Sequence, residues 1–193
     1  RKQSLYQAGF MEGVFNDAVN RFGPVDILVN NAGTVRRGPA ENLSVEDFEA
    51  VMQLNVTGVF AFARAFARHR IAAGGNGKII NIASLMSEVS RRNTAAYTAS
   101  KGAVKMLTKN MACEWAQFNI QSNGIGPGFI QTDFTEPLWT DPEFDNWVKT
   151  RSPQGRWGQP EDIGRVAVFL ASSASDYVNG QIIYADGGLL ATM

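Results

Sequence analysis

The 193-residue chain is long enough for one domain with a substantial hydrophobic core. Its 18 Lys and Arg residues balance 18 Asp and Glu residues, so the charge gives no reason to expect a surface that binds nucleic acid. The single Cys excludes a disulfide framework within the chain and fits a cytoplasmic protein. The sequence has no recognisable signal peptide and no apolar run of bilayer-spanning length, so no membrane partner is expected.

Four short apolar runs alternate with longer stretches of helical periodicity. The runs predict strands at residues 25–29, 78–83, 120–125 and 181–185. Helices are predicted at residues 44–66, 94–118 and 160–172, the first opened by Ser44 as N-cap and the last by Pro160 in its first turn. Cys113 falls in the second helix among Ala and Met residues, which predicts a buried and unreactive side chain.

This alternation predicts an α/β fold, a doubly wound parallel sheet with helices on both faces, formed by residues 1–193 as a single domain. A dinucleotide-binding domain of this kind normally opens with a strand, a Gly-rich turn and a helix that holds the pyrophosphate. Gly9 and Gly13 follow no predicted strand, and no other early Gly cluster fits. We therefore expect a Rossmann-like, three-layer αβα domain that lacks its first strands and the Gly-rich turn.

Tyr97 and Lys101 form the first candidate for chemistry. They lie four residues apart in a predicted helix, so their side chains share one face. A free phenol has a pKa of about 10, and a nearby ammonium group lowers that value. The pair therefore predicts a Tyr that exchanges a proton with an alcohol oxygen, although Tyr and Lys also meet at this spacing by chance.

Small and polar residues follow three of the predicted strands. Ser84 ends the second strand, and the run Asn30-Asn31-Ala32-Gly33 ends the first. Pro127 and Gly128 follow the third strand, with Thr132 shortly after. The carboxyl ends of parallel strands line the ligand crevice of an open α/β sheet, so these residues are expected in one site. Each of them alone also fits an ordinary loop.

Asn55 lies inside the first helical pattern, between Leu54 and Val56. Asn is a poor helix former, because its amide competes with the backbone for hydrogen bonds. An amide kept in an apolar stretch of helix is therefore expected to have defined hydrogen-bond partners.

Together these features resemble the short-chain dehydrogenase/reductase family over nearly the whole chain. The resemblance rests on the order Asn-Asn-Ala-Gly, Asn, Ser, Tyr-x-x-x-Lys and Pro-Gly, and on Ser84 lying thirteen residues before Tyr97, as in that family. It implies an oxidoreductase that uses NADP or NAD as cofactor, needs no metal and assembles as a homotetramer. Because the family's first strands have no counterpart here, the strand near residue 27 is expected to leave an unpaired apolar edge.

The same resemblance assigns roles to individual residues. It implies that Tyr97 is the general acid/base, that Lys101 lowers its pKa and holds the nicotinamide ribose, and that Ser84 orients the substrate oxygen. Asn55 is expected to hold a water that relays protons from Lys101. The residues expected to contact the cofactor are Asn30, Ala32, Gly33, Tyr97, Lys101, Pro127, Gly128, Ile130 and Thr132.

Finer similarity is to enzymes that act on sugar acids. The segments that carry it are Arg36-Arg37, residues 98–107, Arg156-Trp157-Gly158 and residues 172–180, which look like gluconate 5-dehydrogenases and nearly as much like 2-deoxygluconate 3-dehydrogenases. A sugar acid favours an Arg near the crevice, since guanidinium binds carboxylate in bidentate fashion. Arg36 and Arg37, with Ser84 and Tyr97, are therefore the expected substrate contacts.

Several alternatives stay open at this point. The chain is also compatible with 3-oxoacyl reductase activity, with a catalytically silent protein that binds dinucleotide or serves as an assembly subunit, and with an inactive fragment. Residues 129–154, rich in Pro, Trp, Phe and acids, resemble the mobile lid of the family. Arg156-Trp157 either covers the site or packs at a subunit interface. The part of the family fold that decides between NAD and NADP has no counterpart in this sequence.

Overall fold

Four parallel strands form one sheet in the order β1-β2-β3-β4 in the computed structural model, which describes residues 9–192. The strands are β1 (Ile27–Asn30), β2 (Gly77–Ile82), β3 (Ile120–Pro127) and β4 (Ile182–Ala185). The helices are α1 (Phe10–Phe22), α2 (Val45–Met52), α3 (Val59–Ala72), α4 (Ala95–Trp115), α5 (Glu136–Trp139), α6 (Pro142–Arg151) and α7 (Pro160–Ala171). All four predicted strands are confirmed. Strand β3 continues to Pro127, beyond its predicted end, because its last four residues pair with β4.

The sheet is covered by helices on both faces, which confirms the predicted doubly wound α/β architecture. Successive side chains of a strand point to opposite faces, and β2 illustrates this. Ile79 packs into a cluster with Phe66 of α3 and Met111 of α4. Its neighbour Ile80 packs on the other face with Leu170 of α7. These side chains are almost fully buried, so the strand is apolar on both faces, as expected for a parallel sheet.

The first predicted helix is interrupted. Ser44 caps α2 as predicted, its Oγ accepting a hydrogen bond from the Asp47 amide at 3.1 Å. A π-helical segment, Gln53–Gly58, then separates α2 from α3, and the helix runs on to Ala72, past its predicted end. The periodicity of apolar residues does not reveal the interruption, because a π-bulge shifts the pattern by only one residue.

Helix α1 was not predicted from the sequence. It packs against α3, where Phe15 meets Phe66 edge to face at a centroid distance of 6.4 Å. Glu12 of α1 pairs with Arg64 at 3.3 Å and Arg68 at 3.2 Å, both on α3.

The continuous stretch Val45–Ala72 is long and apolar enough to cross a membrane by length and composition alone, a test that the core helix of an α/β domain also meets.

The exposure of strand β1 agrees with the sequence-based prediction, whereas the exposure of Cys113 does not. Strand β1 is an edge of the sheet, and its Ile27 and Val29 are 42% and 48% exposed, as predicted for an unpaired apolar edge. The prediction for Cys113 was wrong, since its side chain is exposed. Met111 and Ala112 occupy the buried face of α4, and one further residue turns the helix by about 100°, which carries Cys113 to the outside.

A buried chain of amides joins the two strands nearest the edge to helix α4. Asn30 Nδ2 donates to Asn81 Oδ1 at 2.9 Å, and Asn81 Nδ2 donates to Thr108 Oγ1 at 2.9 Å. The Thr108 hydroxyl in turn donates to the Val104 carbonyl at 2.8 Å. Each of these three side chains has a hydrogen-bond partner, so the network stabilises the register of β1 against β2.

This network is testable by mutation. Asn81→Leu leaves the buried Asn30 amide without its acceptor, and we expect the free energy of unfolding to fall by about 2 to 3 kcal/mol in urea denaturation. Replacing both partners removes the unpaired group, so the Asn30→Leu/Asn81→Leu double variant should lose less than the sum of the two single variants. Asn146→Leu, on the exposed face of α6, serves as control and should change stability by less than about 0.5 kcal/mol. Additive losses at Asn30 and Asn81 would contradict the network.

Candidate active site

A cleft of about 630 Å³ lies at the carboxyl edge of the sheet, where the strands end. Its size falls within the range of roughly 300 to 1,000 Å³ that is typical of small-molecule sites. It is lined by Asn31, Ala32, Gly33, Ile82, Ala83, Ser84, Tyr97, Lys101, Pro127, Gly128, Ile130, Thr132, Phe134, Thr135, Pro160 and Ile163. Residues that are far apart in the sequence therefore meet because parallel strands bring their ends to one edge.

Of the residues predicted to contact a cofactor, eight line this cleft and Asn30 does not. The Asn30 side chain is buried in the sheet, where its amide donates to Asn81. Asn31, the next residue, lines the cleft in its place, because successive side chains at a strand end point to opposite sides. Ala32 and Gly33 are small and exposed, which leaves room for a flat ring against the backbone.

Ser84 is held at the end of β2 by its own backbone turn. It caps the short 3₁₀ helix Leu85–Ser87, and its Oγ accepts a hydrogen bond from the Met86 amide at 3.1 Å. The residue is 7% exposed and lines the cleft. The hydroxyl proton is not used by that bond, so it remains available to a group in the cleft.

Tyr97 and Lys101 lie one turn apart on α4 and both face the cleft. Lys101 is 5% exposed, and its Nζ donates to the carbonyl of Ile82, the last residue of β2, at 2.6 Å. The same Nζ lies 5.6 Å from the centre of the Tyr97 ring. The ammonium group thus sits between the strand end and the phenol, as the four-residue spacing predicts.

The ionisation of this pair differs from the sequence-based expectation. Burial raises the pKa of the Tyr97 phenol above its ordinary value and outweighs the Ser84 hydroxyl and the charge of Arg37, which both lower it. Burial also lowers the pKa of Lys101 to about 8. The expected depression of the Tyr97 pKa by Lys101 is therefore corrected: desolvation dominates both groups, and the Lys101 ammonium is directed at the Ile82 carbonyl.

Asn55 occupies the π-helical segment and is 1% exposed. Its Oδ1 accepts from the Thr34 amide at 2.8 Å, and its Nδ2 donates to the Thr34 carbonyl at 2.9 Å and to Ser100 Oγ at 3.0 Å. Both N–H donors of the amide are thus occupied by protein groups. The side chain joins the loop after β1 to the helix that carries Tyr97 and Lys101.

The segment after β3 forms the far wall of the cleft. Thr135 Oγ1 donates to the Ile130 carbonyl at 2.6 Å and accepts from the Thr132 amide at 3.0 Å. The indole of Trp139 donates to the Thr132 carbonyl at 3.1 Å. These bonds fix the backbone of residues 130–132, so Ile130 and Thr132 reach the cleft from an ordered turn.

The two consecutive arginines diverge. Arg36 pairs with Asp47 of α2 at 3.3 Å, and both side chains are about half exposed. Arg37 instead lines a smaller pocket beside Ser84 and Tyr97, and its charge acts on the Tyr97 phenol. The structure therefore brings Arg37 to the predicted substrate region and leaves Arg36 outside it.

Arg91 was not predicted from the sequence, yet it lines the same small pocket as Arg37. It lies in the loop between Ser84 and the start of α4. An Arg in a short loop that joins two predicted site residues is a signal that the sequence does contain, but loop conformation decides whether such a side chain turns inward. Asn31 belongs to the strand-end run that the sequence predicts in the site, and it lines the cleft.

Residues 129–154, the region predicted to be a lid, contain α5 and α6 and contribute to an aromatic cluster. Phe129 packs edge to face against Phe144 at 5.5 Å and Trp147 at 5.6 Å. Trp157 is buried against the same cluster, and its indole donates to Asp145 at 2.9 Å. Arg156 pairs with Asp162 at 2.7 Å. Trp157 therefore packs against Phe129 and α6. Within residues 9–192 no group of three acids, His or Cys is placed to hold a metal.

The geometry is that of an α/β oxidoreductase with a Ser-Tyr-Lys site at the edge of a parallel sheet. Comparison with known proteins supports this class. A family model described as enoyl-(acyl carrier protein) reductase matches residues 5–190. The chain belongs to the short-chain dehydrogenase/reductase family.

Individual relatives are similar over most of the chain. It is 50% identical to the gluconate 5-dehydrogenase of Gluconobacter oxydans over 171 residues, which are 89% of this chain and 66% of that protein. It is also 50% identical to the 2-dehydro-3-deoxy-D-gluconate 5-dehydrogenase of Escherichia coli K12, over 90% of this chain and 69% of that protein. The chain thus spans about two thirds of the length of these curated relatives.

A solved structure with the same fold is the gluconate 5-dehydrogenase of Burkholderia cenocepacia in complex with NADP and tartrate. It superposes with a TM-score of 0.94 at 45% sequence identity, covering 99% of this chain and 74% of that one. This agreement supports the fold and the sheet order.

The depressed pKa of Lys101 has a measurable consequence. Its folded-state value of about 8 lies below the ordinary 10.5, so between these values the unfolded chain binds more protons and stability rises with pH. From about pH 7 to about pH 10 the unfolding free energy of the wild type should gain about 2 to 3 kcal/mol relative to Lys101→Met. Urea denaturation at several pH values measures this difference, and a difference that does not vary with pH would contradict the burial of the ammonium group.

Proposed function

We propose that this protein is an NADP- or NAD-dependent oxidoreductase that interconverts a sugar acid and its keto form, of the gluconate and 5-ketogluconate type. The observation that carries the proposal is the convergence of Ser84, Tyr97 and Lys101 in one cleft at the carboxyl edge of the sheet. These are the groups that hydrogen-bond an alcohol oxygen and exchange its proton. The names of the similar proteins from Gluconobacter oxydans and Escherichia coli support the substrate class.

Tyr97 is the general acid/base in this proposal. In the reducing direction its hydroxyl donates a proton to the carbonyl oxygen of the keto acid, and in the oxidising direction its phenolate accepts the proton of the substrate hydroxyl. The raised pKa of Tyr97 keeps the phenol protonated at neutral pH, which suits the reducing direction. Ser84 donates to the same substrate oxygen and holds it within reach of Tyr97. Both donors are fixed in a partly buried site, where hydrogen bonds to a developing alkoxide are strong.

Lys101 and Asn55 support the proton exchange. The Lys101 ammonium lies near the phenol, and its pKa of about 8 lets it release and regain a proton near neutral pH. Asn55 is the proposed holder of a water that connects Lys101 to solvent. Both donors of its side chain are taken by Thr34 and Ser100, so such a water would be held by an acceptor group of Asn55.

The cleft has the shape and donors that a nicotinamide cofactor needs. Exposed Ala32 and Gly33 offer a flat surface to it on one side, and Tyr97 and Lys101 offer hydrogen bonds to ribose hydroxyls. Pro127, Gly128, Ile130 and Thr132 would hold the nicotinamide end. When bound, the cofactor supplies or accepts the hydride. NADP is the favoured cofactor because the Burkholderia cenocepacia relative is described in complex with it, and NAD is the alternative.

The substrate class rests on Arg37 and on the relatives. Arg37 brings a positive charge to the pocket beside Ser84 and Tyr97, which suits an acid. The second candidate is 2-dehydro-3-deoxygluconate, because the Escherichia coli enzyme of that name is as similar as the gluconate 5-dehydrogenase. Oxidation of 2-deoxygluconate and reduction of a 3-oxoacyl group remain further alternatives within the same chemistry. A homotetramer in the cytoplasm that binds neither nucleic acid nor membrane completes the proposal, on the family resemblance.

The central test is Tyr97→Phe, which removes only the hydroxyl. We expect it to lower turnover of gluconate with NADP, or of 5-ketogluconate with NADPH, by at least about a hundredfold, because general acid/base catalysis contributes about 10² to 10⁴. Tyr177→Phe makes the same chemical change at a fully exposed position and should leave the rate unchanged. Absorbance at the NADPH band measures the rate, and circular dichroism checks that both variants fold.

Two outcomes would contradict the proposal. Full activity of Tyr97→Phe would exclude Tyr97 as the acid/base. Absence of turnover in the wild type, together with no rise in melting temperature on adding NADP(H) or NAD(H), would instead favour the catalytically silent or fragment alternatives, because ligand binding to the folded state raises the melting temperature.

A further inference from the structure

A small pocket adjoins the cleft on the side of Ser84 and Tyr97. It is lined by Val35, Arg37, Ser84, Leu85, Met86, Arg91, Thr94, Tyr97, Gly128, Phe129, Phe134, Thr135 and Leu138. The charged members of this set are Arg37 and Arg91, and the set contains no Asp or Glu. Within residues 9–192, none of the ion pairs with a carboxylate involves either of these two arginines. The lining of this pocket therefore contains two positive charges and no negative one, whereas Asp141 and Glu143 line the neighbouring pocket on the Phe144 side of Arg91.

The two arginines are held near each other by the backbone. The Gly38 amide, next to Arg37, donates to the Asn93 carbonyl at 3.3 Å, which ties the loop after β1 to the loop before α4. Thr94 Oγ1 donates to the Arg91 carbonyl at 2.6 Å and closes that second loop. The proximity costs free energy, since burial and the charge of Arg37 both lower the pKa of Arg91. An anion bound between two such charges would relieve this repulsion.

Arg91 is also oriented by the lid. Its guanidinium carbon lies 4.7 Å from the centre of the Phe144 ring on α6, a cation–π contact. Phe144 is itself fixed against Phe129, Trp147 and Trp157 in the aromatic cluster. This contact holds the guanidinium beside the pocket, and a guanidinium can engage a carboxylate in bidentate fashion through its N–H donors.

We propose that Arg91 is a specificity-determining residue that binds the carboxylate of the substrate together with Arg37, and that Phe144 is a positioning residue that holds the Arg91 guanidinium. The proposal rests on the function proposed above and names the groups that select an acid over a neutral polyol. It also disfavours the 3-oxoacyl alternative, because an apolar acyl chain in this pocket would leave two partly desolvated charges without a partner.

The first experiment measures binding by isothermal titration calorimetry with NADPH present, so that gluconate binds without turnover. Arg91→Gln should weaken gluconate about ten- to a hundredfold, the loss expected when a charge-assisted hydrogen bond is removed. Glucitol, which has a hydroxymethyl group in place of the carboxylate, should bind wild type and Arg91→Gln equally. Arg92→Gln, the same change at the exposed neighbouring residue, is the matched control and should leave the affinity for gluconate unchanged.

The positioning role of Phe144 needs a separate readout. Phe144→Leu keeps an apolar side chain but removes the ring, so the KM for gluconate should rise several-fold with kcat unchanged. Phe144→Tyr keeps the aromatic face and should restore the wild-type KM. Equal effects of Leu and Tyr would overturn the cation–π role, because they would show that an aromatic ring at this position makes no difference.

The outcomes separate this inference from the proposed function. If the wild type oxidises gluconate but Arg91→Gln binds it as tightly as the wild type, the carboxylate contact is overturned while the proposed function stands. If Arg91→Gln weakens the binding of gluconate and of glucitol equally, Arg91 does not recognise the carboxylate charge, and the inference also fails. If the wild type neither oxidises nor binds gluconate, both proposals fail together.

Discussion

The side-chain amide of Asn55 is the constraint on which the arrangement of the site depends. Its three hydrogen bonds hold the Thr34 backbone on one side and Ser100 on the other, so the loop after β1 and the helix that carries Lys101 cannot move independently. A fully satisfied amide in the interior is specific in its geometry, because any displacement would leave a polar group unpaired at substantial cost. Asn55 lies within the π-helical segment Gln53–Gly58, and its side chain is buried there.

Burial sets the chemistry of the neighbouring groups. Desolvation raises the pKa of the Tyr97 phenol and lowers that of Lys101 to about 8. Both shifts favour the neutral form of the side chain. A neutral phenol beside a readily deprotonated ammonium suits the delivery of a proton to a carbonyl oxygen. The charge of Arg37 also acts on the Tyr97 phenol, so the binding of an acid at Arg37 and the ionisation of Tyr97 are electrostatically coupled.

The sequence predicts the sheet and the composition of the cleft well, because both follow from local patterns. Apolar runs bounded by Gly, Pro and Asn locate all four strands, and parallel pairing then brings Gly33, Ser84 and Gly128 together. The direction of individual side chains depends on tertiary contacts instead. Asn30 turns into the sheet to bond Asn81, Cys113 turns outward on α4, and Arg91 turns inward from a loop. Helix α1 was also missed, since its stability comes from packing on α3.

A crystal structure of the protein with NADPH and gluconate tests the central claim most directly. The account predicts a substrate hydroxyl oxygen within hydrogen-bond distance of both Tyr97 Oη and Ser84 Oγ, and the carboxylate between the guanidinium groups of Arg37 and Arg91. The nicotinamide end of NADPH should lie against residues 127–132. Gluconate bound away from Tyr97 and Ser84, or with its carboxylate turned toward solvent and no contact to either arginine, would contradict it.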